Sequence, residues 1–79
     1  MERNEIMEML QNIIREAVDN EELVIRNATT AEEVDGWDSL AQVLIIGEIQ
    51  NEFGVRFTSS EVSGLANVGE LVDAINVKM

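Results

Sequence analysis

The 79-residue sequence predicts an all-α fold, a four-helix bundle with three longer helices, a short third helix and a long first loop. Three observations predict it. Apolar side chains recur at helical spacing in three separate stretches, no apolar–polar alternation runs beyond three residues, and no proline interrupts any stretch. The length allows one domain, taken as residues 1–79. A chain this short buries only roughly 60% of its unfolded surface, so the core is small and a deep enclosed active site has little room. With 46% hydrophobic and 27% charged residues the composition is that of a globular domain, not a disordered one.

The first helix can be capped by Asn4 and carries Ile6, Met9, Leu10, Ile13, Ile14 and Ala17 at helical spacing to about Val18, with Met9 read as core filler. Asp19-Asn20 ends it. The segment from Glu21 to Asp38 is long for a loop, and Leu23, Val24, Ile25 and Val34 are the residues able to pin it to the core, with a helical turn expected over Thr30–Glu33. Asp35 and Gly36 break regular structure, Asp38 offers the short acceptor of an N-cap, and a second helix follows from Ser39 to its end at Glu52-Phe53-Gly54. At about 100° per residue, Ile45, Ile46, Ile49 and Phe53 form its core stripe. Leu40, Leu44, Gly47 and Asn51 fall on a second face below Ser39, with Ala41, Glu48 and Glu52 between the two. After an extended Val55-Arg56-Phe57, the cap Thr58-Ser59-Ser60 with Glu61 and Val62 opens a short third helix ending near Gly64. Asn67-Val68-Gly69-Glu70 has capping-box spacing, and the fourth helix turns Val68, Leu71, Val72 and Ile75 inward and frays by Val77-Lys78-Met79.

Composition excludes several kinds of chemistry. Without cysteine there is no disulfide, zinc–thiolate site or thiol nucleophile, and without histidine the commonest general base and metal ligand is missing. Any thiol chemistry has to come from an added group. The N-terminus lacks the pattern of a signal peptide and no stretch is long enough to span a membrane, so a cytoplasmic protein is expected. A net charge of −11 argues against nucleic acid as a partner. The five cations are Arg3, Arg15, Arg26, Arg56 and Lys78, whereas Glu32, Glu33, Asp35, Asp38, Glu48 and Glu52 lie between Arg26 and Arg56. Their field surrounds Ser39 and would speed encounter with basic surfaces, although such a charge run also serves simply to solvate a face. Catalytic pairs such as Glu32-Glu33 or Glu48-Glu52 lack a pocket, and Asp35 with Asp38 lacks the spacing of a calcium loop. No catalytic residue and no metal ligand is assigned.

Ser39 is the residue around which the chain is organised. It falls on the first turn of the second helix, exposed on a rigid element, where unpaired amides and the positive end of the helix dipole favour a phosphate ester. Trp37-Asp38-Ser39-Leu40, the helix behind it, its Phe-Gly end and the acidic four-helix layout together resemble an acyl carrier protein, over nearly the whole chain. The resemblance implies that a phosphopantetheinyl transferase moves the phosphopantetheine of coenzyme A onto Ser39, with Asp38 and Leu40 beside it. The arm's thiol then holds acyl groups as thioesters, and the carrier, acting as a monomer, catalyses nothing itself. Acyl-loading and acyl-transfer enzymes with basic or apolar surfaces are the implied partners, docking on Trp37, Leu40, Ala41, Leu44, Gly47, Glu48 and Asn51. Trp37 reads either as an anchor of the loop or as a border of the arm. Gly47 reads either as the mouth of a cavity or as space for another helix.

One departure matters for the pathway. Carriers of general fatty acid synthesis typically place acids at the positions matching Ala41, Leu44, Gln50 and Asn51, and none of these is acidic here. The expectation is a specialised stand-alone carrier for fatty acid, polyketide or related biosynthesis whose partners rely more on apolar contact. An aminoacyl or D-alanyl carrier and an unmodified helical interaction module are the alternatives.

Overall fold

Helix α1 (Arg3–Ala17) is the spine on which α2 (Ser39–Phe53) and α4 (Val68–Lys78) pack, while the five-residue α3 (Ser59–Ser63) and a 3-10 turn (Ala31–Glu33) lie in the connections. The computed structural model describes residues 1–79 and is all-helical, without a strand. Ile6, Leu10 and Ile14 of α1 meet Ile45 and Ile49 of α2 and Val68, Val72 and Ile75 of α4, all fully buried. Each such side chain contributes about 1.5–3 kcal/mol relative to leaving it in water.

Helix α1 starts earlier than Asn4. Glu5 lies at the third helical position and its carboxylate accepts from the Glu2 amide at 3.3 Å, so Glu2 is the cap and Asn4 sits inside the helix, exposed. Met9 is not core filler. It flanks the apolar stripe on the side of Glu48 and Glu52, and Met7 on the opposite flank packs against the core. The long first loop is pinned as expected by Ile25 and Val34, with half-buried Leu23 assisting. Val24, 60% exposed, is the exception, because successive side chains of extended backbone point to opposite sides. Two α1 side chains hold the start of this loop: Arg15 Nε donates to the Leu23 carbonyl at 2.6 Å, and Gln11 Oε1 accepts from the Ile25 amide at 3.0 Å.

The core stripe of α2 is rotated from the expected one. It runs through Ala41, Ile45 and Ile49, whereas Ile46 and Phe53 are only half-buried at its edge. Gly54 ends α2 in the left-handed conformation, at φ +67°. The start of α4 is seated on the first loop: the amides of Val68 and Gly69 donate to the Thr29 and Asn27 carbonyls at 2.8 and 2.9 Å, and Asn67 Oδ1 accepts from the Glu70 amide at 2.9 Å. The Glu70 carboxylate reaches past Asn67 to the Ala66 amide, so the reciprocal bond is displaced by one residue. Arg3 ties the three segments together, donating to Asp73 at 2.9 Å, Asn27 Oδ1 at 2.7 Å and the Gly69 carbonyl at 3.1 Å.

At the other end α4 continues through Lys78 instead of fraying at Val77. The Lys78 ammonium pairs with Glu61 of α3 and lies 5.1 Å from the centre of the Phe57 ring. The hydrogen bond from Lys78, and then that from the Thr58 amide, hold the Glu61 carboxyl below its ordinary range. Thr58 caps α3, accepting from the Glu61 amide at 3.2 Å.

Candidate functional site at the start of helix α2

The turn before α2 is built from Val34 to Asp38. The Trp37 amide donates to the Val34 carbonyl at 3.2 Å, and between them Gly36 stands at φ +88°, where a side chain is strained. A Cβ at Gly36 would lie 3.3 Å from the Val18 carbonyl, so the turn packs closely on the end of α1. Asp38 is the N-cap, as its sequence position indicates: Oδ1 accepts from the Ala41 amide at 2.9 Å, and its carbonyl takes the Gln42 amide at 2.9 Å. The amides of Ser39 and Leu40 make no hydrogen bond within the chain. Ser39 is therefore an exposed hydroxyl above two free N–H groups at the positive end of a fifteen-residue helix. That donor set suits a phosphodiester on Ser39 Oγ, and the exposed position leaves room for a long arm.

Trp37 is half-buried against the core and its indole N–H donates to Gln42 Oε1 at 2.6 Å. Its ring lines a small cavity of about 130 Å³ together with Ala31, Leu65, Val68 and Leu71. Of the two sequence readings of Trp37, the loop anchor is what this packing displays.

Helix α2 presents a row of exposed apolar side chains directly below Ser39. Leu40 is 70% exposed, Val43 69% and Leu44 52%, and Gly47 continues the row with open space where its side chain would be. The spacing i, i+3, i+4, i+7 makes this one continuous stripe. Val43 was not among the expected docking residues, although its three-residue offset from Leu40 is the signal that marks it. Asn51, exposed, continues the row one turn beyond Gly47, and Glu48 is exposed on its flank. Ala41 is the correction: it is buried, 3% exposed, because it lies one turn above Ile45 on the core stripe, and it is unavailable to a partner. No helix packs into the space at Gly47, which opens instead on the groove between α2 and α3, a volume of about 480 Å³ lined by Val43, Ile46, Phe57 and Val62 among others.

None of Glu32, Glu33, Asp35, Asp38, Glu48 or Glu52 pairs with a cation; Asp35 and Asp38 shortly precede Ser39 in the chain, whereas Glu48 and Glu52 lie about two to four turns down α2 on the side of α1. No group of three or more His, Cys, Asp or Glu side chains is placed to hold a metal ion. No helix is long and apolar enough to cross a membrane.

A helical bundle with an exposed hydroxyl at one helix start, and an apolar stripe beside it, has the form suited to a small carrier domain. The comparisons with known proteins say which one. A family model described as the phosphopantetheine attachment site matches residues 8–75. The chain is 32% identical over 80 aligned residues to an acyl carrier protein of Thermosynechococcus vestitus, covering all of this chain and 98% of that one. Its fold is similar to the solution structure of a holo acyl carrier protein from Geobacter metallireducens, with a TM-score of 0.85 and 30% identity, over 92% of this chain and 84% of that one. The chain thus belongs to the acyl carrier protein family, whose members are carriers rather than enzymes.

Proposed function

We propose that residues 1–79 act as one monomeric acyl-carrier domain and that Ser39 is the residue to which phosphopantetheine is joined. The observation that carries this is the exposed Ser39 hydroxyl on the first turn of α2, beside two free amides and above the Leu40–Val43–Leu44–Gly47 row. In the transfer, Ser39 Oγ forms a new bond to the phosphorus that bears the pantetheine of coenzyme A. The pyrophosphate oxygen bond breaks, adenosine bisphosphate leaves, and the hydroxyl proton passes to a base of the transferase. The bound arm supplies the thiol that holds an acyl group as a thioester. The chain's own residues do the rest: Asp38 fixes the helix start, the free amides of Ser39 and Leu40 would donate to the phosphate, and the apolar row offers a landing surface for acyl-loading and acyl-transfer enzymes.

The surface chemistry favours a dedicated biosynthetic pathway over general fatty acid synthesis. Of the four positions without the usual acid, Ala41 is buried and Gln50 accepts the Phe57 amide at 3.0 Å, so both have structural duties. Leu44, within the docking row, and Asn51, one turn beyond Gly47, carry the difference, because both face solvent. Incubation with coenzyme A, magnesium and a broad-specificity phosphopantetheinyl transferase tests the attachment. The intact mass of the parent is expected to rise by one phosphopantetheine while Ser39→Ala stays unchanged. No gain by the folded parent with several transferases would leave an unmodified helical module as the reading.

A further inference from the structure

The hydrogen bond between Trp37 and Gln42 spans Ser39. Its donor lies two residues before the serine and its acceptor three residues after, and the 2.6 Å contact closes a ring of chain around the helix start. Buried Val34, the close approach of Gly36 to Val18 and the Asp38 cap hold the two ends of the turn, and this bond is the one side-chain link across it. Between Val34 and Ser39 the backbone makes one internal hydrogen bond, from Trp37 to Val34, and Gly36 occupies a conformation open to few other residues. The indole packs against the core on one side and borders a cavity of about 130 Å³ on the other, so the hydrogen bond adds to that packing in fixing the ring. Gln42 is itself half-buried at the edge of the core stripe, with its amide oxygen committed to the indole.

Resting on the assignment of Ser39 as the attachment residue, we propose that Trp37 and Gln42 are positioning residues for the transfer of phosphopantetheine, their hydrogen bond holding the Asp35–Ser39 turn in the shape a transferase recognises. Neither residue touches the reacting atoms. With the bond absent, the indole swings between its cavity and solvent, the turn samples other shapes, and only the braced fraction of molecules binds productively. Apparent affinity falls in proportion to that fraction, while the step within the bound complex is unchanged.

The test uses the full unmodified chain, one purified broad-specificity phosphopantetheinyl transferase and coenzyme A with magnesium, and reads initial rates against carrier concentration. Gln42→Met keeps the length without a good acceptor, Trp37→Phe keeps a ring without a donor, and Gln42→Glu keeps the acceptor. Loss of one half-buried neutral hydrogen bond is expected to raise KM roughly threefold to tenfold and leave kcat within about a factor of two. Gln42→Met and Trp37→Phe are each expected to show this split, the double variant to be no worse than either single one, and Gln42→Glu to restore the parent KM. In Gln42→Met, tryptophan emission is expected to shift to the red at unchanged helical circular dichroism. An unchanged KM in a helical Gln42→Met whose emission has shifted would overturn the proposal, as would multiplying effects in the double variant or no rescue by glutamate. A parent that accepts no phosphopantetheine at all would instead bring down the Ser39 assignment and this proposal with it.

Discussion

Replacing Gly69 or Gly47 by alanine is expected to move stability in opposite directions, although both glycines lie within helices. A Cβ at Gly69 would fall 2.9 Å from the Asn27 carbonyl oxygen and 3.1 Å from Asn27 Cβ. That oxygen is backbone and already accepts the Gly69 amide, while Asn27 is held by Arg3, so neither partner can yield without disturbing the seat of α4. A contact under 3.0 Å against backbone puts the cost at the upper end of the overpacking range, about 2–3 kcal/mol, and with at most ~1 returned by the better helix propensity of alanine the net loss is at least about 1–2 kcal/mol. At Gly47 nothing lies within 4 Å of the added methyl, so only propensity acts. Gly47→Ala should therefore gain about 0.5–1 kcal/mol. For a domain of this size, 1 kcal/mol shifts the thermal midpoint by about 4–8 °C, and urea unfolding followed by circular dichroism resolves both signs. A Gly69→Ala chain as stable as the parent, or a destabilised Gly47→Ala chain, would refute the packing argument.

Three further outcomes follow from the same structure. Arg3→Ala removes the bonds to Asp73, Asn27 and the Gly69 carbonyl; because Arg3 is partly exposed, the loss expected in urea unfolding is about 1 kcal/mol, smaller at high salt. Val43→Asp and Leu44→Glu place charge on an exposed face, so unfolding should stay within about 0.5 kcal/mol of the parent while loading by an acyl-transfer enzyme weakens; unchanged loading kinetics would remove the docking role of the row. Glu61, with its pKa lowered by Lys78, binds its proton less readily folded than unfolded. Its contribution to stability is thus present above the ordinary carboxylate value of 4.5 and is lost as pH falls through the lowered folded value. Glu61→Gln should be less stable than the parent at neutral pH, with the gap closing in acid, and a gap that widens in acid would contradict the pairing.

Much of this architecture can be read from local chemistry in the chain. Asp38, Thr58 and Asn67 announce their helices because a short acceptor at the cap satisfies amides that nothing else nearby can reach, and Gly54 marks the end of α2 because the chain there turns left-handed. Long-range contacts were less legible. Ala41 is nearly as compatible with either side of α2, and it is the packing of α1 against Ile45 that draws it inward. Glu2 caps α1 through its partner Glu5, a carboxylate pair that composition presents only as two more acids. The roles of Gln42 and Gln50 depend on an indole and an amide from neighbouring segments, and glutamine carries no pattern that announces such partners. Val43 was within reach of the sequence, since the spacing of Leu40, Leu44 and Gly47 already describes the stripe it completes.

Localising the added group by peptide fragmentation tests the central claim most directly. Trypsin releases residues 27–56 between Arg26 and Arg56, and Ser39 is the sole serine in that peptide. After reaction with coenzyme A and a transferase, the phosphopantetheine is expected on this peptide, with the fragment series placing it on Ser39. The same group found on Thr29 or Thr30, or on a later peptide that carries Ser59, Ser60 and Ser63, would contradict the assignment of the α2 helix start as the attachment site.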